Sequence, residues 1–192
     1  ACGEDWKEVH AHATIDRGES QCIVGPPGTG KSTLTSELVK KLRERGDEVV
    51  CAAKTHVAAS RLPGGVSANH FANAKIKRGR FPQWLVLDEI SMIDTPLMAQ
   101  VSRLVFCGTK FILVGDPDQY TAINPRWCGH PTDRSVFTSS LLWSMAGGNV
   151  CHLAVNHRSD PQIFDFCGSV VPGGSRAHLS MQEKVEEAKK EF

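Results

Sequence analysis

Short apolar runs alternate along this chain with stretches whose apolar residues recur at helical spacing. "QCIV" (21–24), "EVVCAA" (48–53), "WLVL" (84–87), "KFILVG" (110–115) and "VCHLAV" (150–155) each have the length and composition of a buried strand. Between the first two, "KSTLTSELVKKLRERG" places Leu34, Leu38, Val39 and Leu42 on one helical face, and Gly46 stops it. Helical patterns also fill 95–105 and 160–168. Strands separated by helices predict an α/β fold, a parallel sheet with helices on both faces. In such sheets ligands bind beyond the carboxyl ends of the strands, and the polar motifs of this chain fall at those ends.

Composition narrows the picture only slightly. The 192 residues suffice for one domain with a full core, and 41% apolar with 22% charged residues describes an ordinary globular chain. A net charge of +1 does not by itself announce a nucleic-acid partner, and no apolar run is long enough to span a membrane. There is no initiator Met or signal-peptide pattern, and "MQEKVEEAKKEF" at the end reads as an unfinished helix, so the expectation is a piece of a longer protein. The seven cysteines form no CxxC pair, and several lie in apolar runs, which predicts buried free thiols in a reducing, intracellular compartment. "CGH" (128–130) and "CH" (151–152) fit no common zinc spacing.

Two motifs carry chemistry. "GPPGTGKS", Gly25 to Ser32, has the spacing of a phosphate-gripping loop between a strand and a helix. Gly28 and Gly30 let the backbone curl so that amide hydrogens face an anion. Lys31 brings a cation to the β- and γ-phosphates, Ser32 offers a hydroxyl to Mg²⁺, and the helix adds its positive end. The expected nucleotide-contacting set is Gly25, Pro27, Gly28, Thr29, Gly30, Lys31, Ser32 and Thr33. "WLVLDEISMID" then sets Asp88 and Glu89 just past a strand. One carboxylate suits the metal's water shell, and the other suits orienting and deprotonating the attacking water.

"GDPDQ" (115–119) follows the fourth strand and "NHRS" (156–159) the last. With "GPPGTGKST", "CAAKTHVAASRL" and "VLDEISMID" before them, the order resembles the first RecA-like motor domain of superfamily 1 helicases. "DEISM" is similar to the 5′-to-3′, RecD-like branch, and "SANHFANA" (67–74) to a DNA-contacting segment of that branch. The resemblance spans roughly 21 to 160. It implies a P-loop NTPase that hydrolyses ATP with Mg²⁺ and moves on single-stranded DNA, RNA remaining possible. By position it implies that Gln119 senses the γ-phosphate and Arg158 stabilises transition-state charge. The expected division is a helical lead-in (1–20), the ATPase domain (21–170) and a charged tail or truncated helix (171–192) leading to a second RecA-like domain that this chain lacks.

Charge adds an independent hint. No acidic residue lies between Glu48 and Asp88, whereas Lys54, Arg61, Lys75, Lys77, Arg78 and Arg80 do. Such a polarised stretch suits a phosphate backbone. The expected nucleic-acid contacts are Thr55, His56, Asn69, His70, Phe71, Lys75, Lys77 and Arg78, with Phe71 or His70 stacking on a base. The family's adenine-reading Gln ahead of the phosphate loop has no counterpart before Gln21, leaving Glu8 or an upstream residue for that role, and ATP preference open. "YTAINP" (120–125) also departs from the family pattern. Two other function classes compete: a nucleotide- and strand-binding module without turnover, and a P-loop kinase. "GDPDQ" and "NHRS" have no evident place in a kinase.

Overall fold

The computed structural model describes residues 6–74, 76–119, 126–127, 130–131, 136–157, 160–171 and 173–191. Eight strands are β1 (Gln21–Val24), β2 (Val49–Ala53), β3 (Val66–Ser67), β4 (Trp84–Asp88), β5 (Lys110–Gly115), β6 (Arg126–Trp127), β7 (His130–Pro131) and β8 (Val150–His152). The helices are α1 (Trp6–Asp16), α2 (Lys31–Glu44), α3 (His56–Ser60), α4 (Ala68–Ala74), α5 (Thr95–Ser102), α6 (Ser140–Met145), α7 (Pro161–Val170) and α8 (Met181–Glu191). Six strands make one sheet in the order β3-β2-β4-β5-β1-β8, every pairing parallel, while β6 and β7 pair antiparallel on their own. This is the parallel α/β sheet that the sequence pattern predicts, in the P-loop, RecA-like form that the resemblance implies.

The core shows why the strands read as unbroken apolar runs. Successive side chains of a strand point to opposite faces, and here both faces are covered. Cys22, Val24, Leu85, Leu87, Phe111 and Leu113 enter one buried cluster; Ile23, Trp84, Val86, Ile112 and Val114 enter the other. Leu34, Leu38, Val39 and Leu42 of α2 join the second cluster. That helix ends where expected: Gly46 adopts φ 87°, its N–H bonds the Arg43 carbonyl, and the Asp47 N–H bonds that of Leu42. This left-handed glycine cap satisfies two otherwise orphaned carbonyls.

Three differences from the sequence reading matter. The last strand stops at His152 rather than 155: the Leu153 N–H makes a last bond to the Val24 carbonyl at 2.8 Å, and its own carbonyl packs against Gly25 of the phosphate loop. The segment 66–74 forms an edge strand and a helix, both too short for a periodicity signal. Within α4, Ala68, Phe71 and Ala72 face the sheet at helical spacing, so Phe71 is only 1% exposed. The expectation that Phe71 stacks on a base is therefore corrected: its ring belongs to the core, and Asn69 and His70 face outward. Cys22, Cys51 and Cys151 are buried and outside any disulfide among the described residues; burial pushes the Cys22 thiol up to about 12 and that of Cys51 to about 11. Among the described residues no helix is long and apolar enough to cross a membrane.

Candidate nucleotide site

The register brings the motifs together. Val24 pairs with Gly115, Leu87 with Leu113 and Ala53 with Asp88, so the exits of β1, β5, β4 and β2 lie side by side. The phosphate loop leaves β1, Asp116 leaves β5, Asp88 and Glu89 end β4, and Lys54 and Thr55 leave β2. Because β5 lies between β1 and β4, Asp116 stands between the loop and the acid pair.

The loop has the shape its composition allows. Gly28 (φ 86°) and Gly30 (φ 83°) are left-handed, a conformation that costs other residues about 1–2 kcal/mol. Gly30 precedes α2 and no side chain caps the helix, leaving its first-turn amides available to an anion. Gly25 is required for a different reason: a Cβ there would meet the Leu153 carbonyl oxygen at 2.4 Å and Thr29 Oγ1 at 2.8 Å. Buried Thr29 fastens the loop internally, its hydroxyl donating to the Pro26 carbonyl at 2.8 Å. The Lys31 ammonium donates to the carbonyls of Gly25 (2.6 Å) and Pro26 (2.8 Å). Ser32 and Thr33 lie exposed in the first turn of α2.

The charges around Lys31 are coupled. Burial lowers the Lys31 pKa, while Asp116 and then Asp88 oppose that shift. Burial raises Asp88, against the Glu89 N–H donating to Asp88 Oδ1 at 2.8 Å, then Lys31 and Arg61. Glu89 is raised by burial and by Asp88, with Arg61 opposing. Asp116, only 2% exposed, is raised by burial and held down by the Asp118 N–H at 3.0 Å, by Lys31 and by a hydrogen bond with the Gln119 side chain. Glu89 (φ 52°) is the only left-handed non-glycine residue among those described. Local strain of about 1–3 kcal/mol at an acid beside a cation is a mark of functional sites. Gly115 lets that turn close down, since a Cβ there would lie 2.7 Å from Ile90 Cγ1.

Several residues take places here that the sequence did not assign to them. Asp116 is one, and its signal was the acid inside "GDPDQ". Arg61, exposed at the end of α3, acts on both Asp88 and Glu89. His157 donates its backbone N–H to the Gly28 carbonyl at 2.9 Å, and its ring lies 3.5 Å from where a Gly30 Cβ would be. Glu8 Oε1 lies 3.9 Å from that same point. Gln21 is buried with its amide donating to the Ala11 carbonyl at 3.0 Å, away from any nucleotide. Arg158 and Lys75 lie outside the described residues, as does the Lys77 side chain.

The expected nucleic-acid contacts divide into two places. Exposed His56 opens α3, and Thr55 caps that helix by accepting the Ala58 N–H at 3.1 Å. With Asn69 and His70 at the start of α4, they lie at the carboxyl edge of the sheet. Arg78 and Arg80 lead instead to Pro82 and Gln83, which are bonded to the amino edge through Thr109, Lys110 and Glu48. Lys54 is committed to an ion pair with Asp94, the N-cap of α5. Among the described residues no cluster of three or more His, Cys, Asp or Glu is arranged to hold a metal.

A parallel sheet with a left-handed glycine loop, an uncapped helix start and a lysine under the influence of two carboxylates defines a P-loop nucleotide-binding protein. A profile of the AAA domain family matches residues 3–133. The chain belongs to that family, and the proteins it is similar to include RecD and Pif1 helicases. It is 26% identical over 187 residues to the ATP-dependent DNA helicase PIF1 of Emericella nidulans, covering 80% of this chain and 25% of that protein. It is 23% identical over 218 residues to the RecBCD enzyme subunit RecD of Mycolicibacterium smegmatis, covering 93% and 38%. The crystal structure of a Bacteroides Pif1 helicase in complex with ADP-AlF3 and ssDNA superposes with a TM-score of 0.71 at 17% identity, covering 95% of this chain and 48% of that one. The chain thus spans less than half the length of these relatives.

Proposed function

We propose that this chain is the nucleotide-hydrolysing half of an ATP-dependent DNA helicase or translocase, acting on single-stranded DNA in a reducing intracellular compartment. The observation that carries the reading is Lys31, held on its own loop and acted on by Asp116 and Asp88 from the exits of β5 and β4. The glycine cradle and the uncapped start of α2 fit a triphosphate, and Ser32 with Asp88 fits one Mg²⁺ that keeps most of its ligands as water and phosphate. That cation would supply charge neutralisation on the phosphates.

The chain's own groups divide the work. The loop glycines and first-turn amides grip the phosphates. Lys31 exchanges the Gly25 and Pro26 carbonyls for phosphate oxygens. Glu89, poised by burial above the ordinary Glu range, orients the attacking water and accepts its proton. Gln119, held by the Asp116 carboxylate, senses the γ-phosphate, and Arg158 stabilises the transition-state charge. Thr55, His56, Asn69 and His70 form the strand-contacting face at the carboxyl edge. Glu8 takes the role of reading the base, and being acceptor-only it favours bases that present N–H donors. The segment 171–192 leads to a second RecA-like domain.

A second reading has support in the short span of the chain against its relatives: alone, this piece holds nucleotide and single strands without turnover. Steady-state phosphate release by this chain and by the intact protein, with and without oligonucleotide, separates the two. The intact protein is expected to show oligonucleotide-stimulated release that Lys31→Ala abolishes. Release insensitive to that substitution would refute the assignment.

A further inference from the structure

The amino edge of the sheet carries a surface that the nucleotide site does not use. Two loops meet there: the Thr109 hydroxyl donates to the Pro82 carbonyl at 2.8 Å, and the Lys110 N–H to that of Gln83 at 2.8 Å. On one loop Phe81 is 42% exposed behind exposed Arg78 and Arg80. On the other Phe106 is 92% exposed, between exposed Arg103 and Lys110. Among the described residues, none of these four cations has an ion-pair or side-chain hydrogen-bond partner, whereas Arg17, Lys41, Arg45 and Lys54 are all paired. Acids also stand at this edge: Asp47 and Glu48 just ahead of β2, and Asp16 and Glu19 ahead of β1, the last two already paired with Lys41 and Arg45 and with Arg17.

A lone exposed phenyl ring needs no explanation. Two rings set among four uncommitted cations match one partner chemistry well. A single strand of nucleic acid presents phosphates to the cations and unstacked bases to the rings, each base–ring contact being worth about 1–3 kcal/mol. A duplex would hide the bases, and an acidic polypeptide would leave the rings unused. The surface also continues the track proposed above, since α4 runs from Asn69 and His70 at the carboxyl edge towards Arg78 and Arg80, with exposed Asn73 on the way.

We infer that Phe81 and Phe106, with Arg78, Arg80, Arg103 and Lys110, form a second contact for single-stranded DNA at the edge of the sheet opposite the nucleotide. The inference takes its partner from the strand-binding reading above.

The test uses the intact protein, fluorescence anisotropy with oligo-dT of increasing length, and a salt series. Phe81→Ala with Phe106→Ala should weaken binding of long oligonucleotides about tenfold. Arg80→Glu with Arg103→Glu should lower the salt slope by about 0.7 for each phosphate no longer neutralised. Short oligonucleotides, filling only the carboxyl-edge track, should bind both variants as they bind wild type, and hydrolysis at saturating DNA should not change. Independently of any substitution, bound long oligo-dT should slow maleimide labelling of exposed Cys107 at least fivefold, read by peptide mass. Unchanged long-oligonucleotide affinity, equal losses at short and long lengths, an unprotected Cys107, or competition by polyglutamate as strong as by oligo-dT would each overturn the inference. If the wild type binds no oligonucleotide of any length, the strand-binding reading fails first, and this inference with it.

Discussion

The two edges of the sheet are built to opposite rules. At the carboxyl edge the charges around the loop are held in place: Lys31 sits on two carbonyls, Asp88 on the Glu89 amide, Asp116 on Asp118 and Gln119, and Lys54 on Asp94. At the amino edge, among the described residues, Arg78, Arg80, Arg103 and Lys110 are unpaired, and two phenyl rings face solvent. A site for a small polyanion has to be preorganised, because binding strength is lost to any group that must first be ordered. A surface for a flexible strand has no such need, since successive contacts are similar and tolerant.

Glycine substitutions probe that contrast most strongly. Gly25→Ala drives a Cβ into the Leu153 carbonyl, whereas Gly79 and Gly108 have nothing within 4 Å of a new Cβ and only their left-handed φ to lose. Urea unfolding should show Gly25→Ala costing about 3 kcal/mol or more, and Gly79→Ala about 1 kcal/mol. Equal costs would mean that the carboxyl edge is no tighter than the other.

Arg61→Ala tests the electrostatics of the acid pair. Arg61 holds the Glu89 pKa down against burial and Asp88, so its loss should move the acid limb of the turnover profile to higher pH. A loss that is greatest at the acid end of the profile and recovers as pH rises is the expected pattern. A pH-independent loss would assign Arg61 to something other than Glu89.

Asp116→Asn has a smaller, opposite consequence for stability. The folded-state pKa of Asp116 is raised, so between the ordinary Asp value and that raised value the native state binds the extra proton. Stability therefore falls as pH rises through that window. Asn keeps the acceptor for the Asp118 amide without the buried charge. The variant should melt a few degrees above wild type at pH 7, with the gap closing towards pH 4. A lower melting temperature at pH 7 would show that Lys31 outweighs burial at this position.

The nucleotide loop was legible in the sequence because its chemistry prescribes residue types at fixed spacing: glycines at 28 and 30, Lys31, then Ser32. The sheet was legible because doubly covered strands are unbroken apolar runs. Asp116 was not, since its place between loop and acid pair depends on β5 lying between β1 and β4, and strand order is not local information. Phe71 misled for a related reason. An aromatic in a cationic stretch suggests stacking, but the register of a seven-residue helix decides which side faces the core. The same stretch looked like one face and is two, because α4 carries the chain from one edge of the sheet to the other. Glu8 and His157 reach the loop from 17 residues upstream and 127 residues downstream of Gly25–Gly30, contacts that no motif announces.

The account turns on a loop that binds and a neighbouring acid that cleaves, and Glu89→Gln in the intact protein separates those two roles. Equilibrium binding of a fluorescent ATP analogue, paired with single-turnover hydrolysis on single-stranded DNA, should give an affinity within about threefold of wild type and a rate at least about 100-fold lower. Near-normal turnover by that variant would contradict it.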